Sequence, residues 1–197
     1  MIILFGLAGS GKGTQGKALS EIFGWRWISS GDLIRNSGKY DDIINGGNMI
    51  SDAAMTELLK KELEKTEAEG FDVILEGYPR TAPQAEWLIQ HYGGNLSGAI
   101  ILDVPKEELY NRLKLRGRAD DDNLDKINHR FEVFEQNICS ILPLFEAHNI
   151  PVEHINGVGA PGTVTGRLIA TVQRFDPEAV KQLTDVNGGE IEKSYGE

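Results

Sequence analysis

The apolar run Ile2-Ile3-Leu4-Phe5 leads directly into Gly6-Leu7-Ala8-Gly9-Ser10-Gly11-Lys12-Gly13-Thr14, and no other stretch constrains the fold as much. A strand that is hydrophobic on both faces belongs in the middle of a sheet covered on both sides. The glycines allow consecutive backbone N–H groups to converge on one anion. The helix that follows adds partial positive charge there, and the lysine reaches the outer phosphates. Strand, loop and helix in this order predict a phosphate-binding loop at the carboxyl end of a buried strand. The general pattern has Ser or Thr directly after the lysine, whereas here Gly13 stands there and Thr14 follows. Direct ligation of magnesium from this loop is therefore not expected. The chain has no Asn-Lys-x-Asp guanine signature.

Phe71–Leu75 and Gly98–Leu102 repeat the buried-strand pattern, and Trp27-Ile28 and Ile150-Pro151-Val152 are weaker versions of it. Helical periodicity fills the gaps. Leu124, Ile127, Phe131, Phe134, Ile138, Ile141 and Phe145 recur in steps of three and four along one predicted face. Asp120 to Asp122 suit the N-terminal cap of that helix. A second helix is predicted from Ser51 to Ala68, and a third from Pro105 to Leu115. Five strands alternating with helices predict an α/β fold, a three-layer sandwich around a five-stranded parallel sheet. The length of 197 residues allows one such core over 1–175. The remaining 176–197 read as a polar tail.

Thirty acids against 20 lysines and arginines give a net charge of −10, a field that repels polyanions and makes nucleic acid an unexpected partner. Six of the nine arginines nevertheless fall where they can converge. Arg112 and Arg116 share a helix face, Arg118 follows across a glycine, Arg130 sits on the next helix near its first turns, and Arg35 and Arg80 lie just past strand ends. Permanently charged, bidentate donors suit phosphates on two nucleotides and the charge spread over a phosphoryl group in transfer. The single cysteine, Cys139, excludes an internal disulfide and any CxxC-type zinc site. Five apolar residues at Met1–Phe5 are too few for a signal peptide. No run approaches the ~18 residues that cross a bilayer, so a cytoplasmic, membrane-free protein is expected.

Gly-Ser-Gly-Lys-Gly-Thr at 9–14, Ser-Ser-Gly-Asp-Leu-Ile-Arg at 29–35, Glu-Gly-Tyr-Pro-Arg at 76–80 with Gln84, Arg-Gly-Arg-Ala-Asp-Asp at 116–121, and Arg130 come in order. Together they resemble the adenylate kinase family of nucleoside monophosphate kinases, over residues 1 to about 172. The resemblance implies a P-loop core with two small arms, one binding the monophosphate at about 30–59 and a short lid at about 117–126. It implies reversible phosphoryl transfer from ATP to AMP, with Mg2+ carried by the phosphates and no direct protein ligand.

By the same resemblance Gly9, Ser10, Gly11, Lys12, Gly13 and Thr14 hold the donor phosphates. Arg112 and Arg116 clamp the donor, and Gly159 meets its adenine. The monophosphate falls to Ser30, Arg35, the backbone of Asn48, Met49 and Ile50, then Gly77, Tyr78, Pro79, Arg80 and Gln84. Arg118 and Arg130 bridge both substrates. Lys12, Arg80, Arg116, Arg118 and Arg130 carry the catalysis, and Asp32 and Glu76 hold water on magnesium.

Ala8, Glu76 and Ser30 stand where proline, aspartate and threonine are common in the family. The eight residues from Ala119 to Lys126 leave no room for a zinc-binding lid, and Asn36–Ser51 makes a short arm. A UMP/CMP-type kinase and a nucleotide-binding ATPase or assembly factor on the same fold remain alternatives. Trp25 and Trp27 are expected to pack around the second strand. Cys139 is expected to be partly buried, the four histidines lack metal-ligand spacing, and a monomer is expected.

Overall fold

Successive side chains of β1 (Ile2–Phe5) point to opposite faces of a sheet, and both faces are dry. Ile2 and Leu4 enter one core with Ile74, Ile100 and Leu102; Ile3 and Phe5 enter another with Leu75, Ala99 and Ile101. The computed structural model describes residues 1–40, 43, 49–118, 121 and 123–179. β1 is joined by β2 (Arg26–Ser29), β3 (Val73–Glu76), β4 (Gly98–Asp103) and β5 (Val152–Asn156) in one parallel sheet. The order β2-β3-β1-β4-β5 places β1 at the centre: on one side the chain passes to the edge strand β2 and returns inward through β3, and on the other it moves outward from β4 to β5. Open α/β sheets bind ligands at such a switch point, beyond the carboxyl ends of the strands.

The helices are α1 (Lys12–Phe23), α2 (Ser30–Ser37), α3 (Asp52–Ala68), α4 (Ala82–Tyr92), α5 (Lys106–Arg116), α6 (Leu124–Ala147) and α7 (Pro161–Phe175). α1 and α7 cover the Ile2/Leu4 face through Leu19, Val164, Leu168 and Val172. α3, α4 and α6 cover the other through Leu59, Leu63, Leu88, Ile141 and Phe145. Removing one such buried side chain, as in Leu75→Ala, costs ~2–5 kcal/mol through lost transfer energy and the cavity left behind. A third cluster packs Leu109 and Leu113 of α5 with Ile127 and Phe131 of α6 against Leu7 and Ala8 of the phosphate loop. The paired ends of α5 and α6 are therefore bolted to that loop.

Several expected boundaries shift. Phe71 lies before β3, 43% exposed, with the Arg26 guanidinium 4.6 Å from its ring centroid. β5 starts at Val152, so Ile150 is core without being strand. Pro105 is the N-cap of its helix rather than its first residue. α6 begins at Leu124, which shortens the span after Arg118, and Leu124 itself is 63% exposed rather than on the buried face. Its cap is Asn123, whose side chain accepts from the Asp125 N–H; Asp121 has other partners, and Asp120 and Asp122 lie outside the described residues. Cys139 is exposed, not partly buried. Of the 176–197 tail, residues 180–197 lie outside the described residues. No helix among the described residues is long and apolar enough to cross a membrane.

Candidate active site

Because all five strands run the same way, the loops leaving them gather along one sheet edge. The loop after β1 lies flush on α5: Gly9 has φ of 86°, and a Cβ there would stand 3.0 Å from the Leu113 side chain and 3.2 Å from the Leu109 carbonyl. Gly11 caps α1 at φ of 100° with no side-chain cap, leaving the first N–H groups of the helix for a ligand. Lys12 Nζ folds back onto the carbonyls of Gly6 at 2.7 Å and Leu7 at 2.9 Å. Burial, opposed by Glu76 and reinforced by Arg80, Arg116 and Arg130, pushes the lysine down to about 8.

Two cavities open along this edge. One is lined by Gly9 through Gln15, Trp27, Asp32, Arg112, Gly157 and Gly159. The other is lined by Ser30, Met49, Ile50, Gly77, Pro79, Arg80, Gln84 and Arg130, with an apolar wall from α6. They share Ala8, Lys12, Ser29, Arg35, Glu76, Arg116 and Arg118. All six of the expected arginines thus line the joined cleft. The other three turn elsewhere: Arg26 pairs with Glu69, Arg174 with Glu153, and Arg167 donates to the carbonyls of Asn156 and Val158. Arg167 thereby pins the loop that carries Gly159. Arg112 pairs with Glu108 and reaches the Gly157 carbonyl at 3.3 Å.

In the second cavity Arg80 Nε donates to the Gly77 carbonyl at 2.7 Å, and the Ser30 hydroxyl donates to the same oxygen at 2.6 Å. Burial draws Arg80 below its usual value, with Glu76 opposing and Arg35 and Arg130 adding. Gln84 is buried and doubly held. Its Oε1 accepts from the Arg80 backbone N–H at 2.7 Å, and its Nε2 donates to Asp52 at 2.8 Å. One lone pair and one N–H of the amide remain. Tyr78 departs from the expected set: its ring is fully buried, its hydroxyl meets Thr56 at 3.1 Å, and it does not line either cavity. Burial pushes the Tyr78 phenol up to about 12. Asn48 lies outside the described residues.

Between α5 and α6 Asp121 accepts from Arg116 Nε at 2.7 Å, Arg116 Nη2 at 2.8 Å and Arg130 Nη2 at 2.7 Å. Burial opposes its ionisation, but the hydrogen bonds and charges of the two arginines prevail and hold its carboxyl below the usual range. Arg118 lies exposed at the mouth, lining both cavities. Gly117, with φ of 63°, ends α5.

Two carboxylates beside the phosphate loop are Asp32, which accepts from Arg35 Nη2 at 2.6 Å, and Glu76, which accepts from Trp27 Nε1 at 3.1 Å. Both line the loop cavity. Two hard oxygen donors beside a polyphosphate loop fit magnesium, a cation that keeps its waters and is shared with phosphates. Among the described residues no cluster of three or more His, Cys, Asp or Glu could hold an ion alone.

Three residues here carry no local sequence signal for their part in the site: Asp121 reads as a helix cap, Trp27 as packing, and the partners of Asp52 lie 29 and 32 residues away.

A family model described as adenylate kinase matches residues 4–150. The chain is 31% identical over 188 residues to an adenylate kinase of Porphyromonas gingivalis, covering 88% of this chain and 96% of that protein. An adenylate kinase of Thermus thermophilus is 31% identical over 186 residues, with 87% and 96% covered. One from Maricaulis maris is 34% identical over 186 residues, with 87% and 98% covered.

Proposed function

The chain belongs to the adenylate kinase family, and we propose that its two cavities seat ATP and AMP so that a phosphoryl group crosses between them at Lys12, Arg116 and Arg118. The observation that carries this assignment is the shared wall: two pockets built from different loops have the same cations between them.

ATP lies in the cavity of the first loop, its phosphates on the N–H groups from Gly9 to Thr14 and on Lys12. Its adenine lies toward Gly159, and Arg112 lies over the bound donor. AMP lies in the second cavity, its phosphate on Arg35, Arg80 and Arg130 and its base toward Met49, Ile50 and Gln84. An oxygen of the AMP phosphate attacks the γ-phosphorus. The bond from that phosphorus to the β–γ bridging oxygen breaks, and two ADP result. No protein nucleophile is needed, since alignment and stabilisation of the spread negative charge suffice. Lys12 and the guanidinium groups of Arg116, Arg118 and Arg130 meet that charge. Asp121 orients two of them. Magnesium bound with ATP supplies further neutralisation, with Asp32 and Glu76 ordering its waters.

Adenine offers an amino donor beside a ring acceptor, which matches the lone pair and N–H left on Gln84. A site built on such bonds rejects a mismatched partner by as much as ~10⁴-fold. A coupled assay of ATP against AMP, CMP, UMP and GMP is expected to give AMP the highest kcat/KM. In Gln84→Ala that preference should collapse. A wild-type preference for UMP or CMP would move the protein to another acceptor, and an unchanged preference in the variant would remove Gln84 from the site.

A further inference from the structure

We infer that Trp27 is a positioning residue whose indole N–H holds Glu76 in the orientation needed at the nucleotide-bound magnesium. This rests on the role proposed above for Glu76. Trp27 belongs to β2, where Ser29 is the register partner of Glu76, so it stands two residues away on the same face. Its Nε1 lies 3.1 Å from Glu76 Oε2. An indole has one N–H donor and no lone-pair acceptor, so it can anchor a carboxylate but cannot ligate a metal ion through nitrogen.

The seat of the ring is cut into α1. A Cβ on Gly16 would stand 2.4 Å from Trp27 Nε1 and 2.5 Å from Cδ1, an overlap no side chain tolerates. Gly13, three residues earlier on the same helix face, would bring a Cβ to 3.6 Å from Glu76 Oε2 and 3.7 Å from Trp27 Cζ2. Lys17 lies 5.2 Å from the ring centroid. The indole edge and the carboxylate it holds therefore border the position where the general loop pattern has its hydroxyl.

Glu76 needs such an anchor because it interacts electrostatically with both Lys12 and Arg80. With the indole hydrogen bond gone, those cations draw the carboxylate away from the ion. Hydrogen-bond partners one step removed from a metal typically govern ~10–100-fold in its affinity.

The test is a calorimetric titration of Mg2+ into ADP-saturated protein, for wild type, Trp27→Phe, Trp27→Gln and Glu76→Gln. Trp27→Phe should weaken Mg2+ binding about 10-fold while affinity for ADP in EDTA stays at the wild-type value, and Trp27→Gln, which keeps a donor, should recover part of the loss. Gly16→Ala, which displaces an intact indole, should reproduce the loss and serves if Trp27→Phe does not fold. If Glu76→Gln weakens Mg2+ binding while Trp27→Phe and Gly16→Ala do not, the tryptophan only packs and the inference falls. If Glu76→Gln has no effect, the role of Glu76 falls first and takes this one with it.

Discussion

Lys12 stands where burial and three arginines all work against its charge, and only Glu76 speaks for it. A polyphosphate entering the loop reverses that balance. With the lysine at about 8, nucleotide binding above that pH must take up a proton, because the anion restores the ammonium. Calorimetry at pH 9 in buffers of different ionisation enthalpy should register this uptake, and magnesium-free affinity for ATP should fall as pH rises through 8. Absence of both would mean that the ammonium is intact before the ligand arrives. The same shift acts on folding: between about 8 and the ordinary lysine value of 10.5 the unfolded chain holds a proton the native one has lost, so this group's contribution to stability rises with pH across that window. In turnover, Lys12→Met and Arg118→Ala should each lower kcat by ~10²–10³-fold with smaller changes in KM, as for an electrostatic donor that acts in the transition state. A wild-type kcat in either variant would refute its assigned role.

The elements that matter most are α5 and α6, joined at their ends by one buried carboxylate. Asp121 is 1% exposed at its side chain and takes three hydrogen bonds from arginines on both helices. Asp121→Ala leaves those guanidinium groups repelling one another over the phosphate path. The variant should lose ~1.5–3 kcal/mol per charged hydrogen bond at most, less for the half-exposed Arg116, read as a lower urea midpoint at unchanged slope. Its kcat should fall with the KM values for ATP and AMP changing little. Because the Asp121 pKa is lowered, this stabilisation is present above the ordinary carboxyl value of 3.8 and is lost as pH falls through the native one. The stability gap between wild type and variant should therefore close in acid. A gap independent of pH would show that packing, not the ion pairs, had been removed.

Over the whole molecule, a chain with net charge −10 concentrates Lys12 and six arginines in one cleft. Two cavities with a common wall predict that a ligand spanning both gains from joining the halves. A mimic linking two adenosines through five phosphates should bind orders of magnitude more tightly than ATP or AMP, since the second half docks without a further loss of translational freedom. Comparable affinities for all three would separate the cavities into independent sites. Closure over both substrates must also exclude water, or ATP would be hydrolysed in place of transfer. An ATPase rate without AMP far below the transferase rate is the corresponding observation.

The sequence by itself determined the sheet, the loop and the cations. Ile2–Phe5 is legible as a central strand because both its faces are apolar, and the phosphate loop because its glycines and Lys12 are consecutive. The six arginines stood out because an acidic chain spaced them at strand ends and on one helix face. What only the tertiary structure decided is how these groups are held. Asp52 reaches Thr81 and Gln84 across two helices, and Trp27 reaches Glu76 across two strands. Asp121, the nearest of these in sequence, resembled a helix cap until Arg130 came round to meet it. Periodicity and motif spacing report contacts within a few residues along one element. A hydrogen bond between side chains 9 to 49 residues apart forms only when the sheet and its covering helices have brought their elements together.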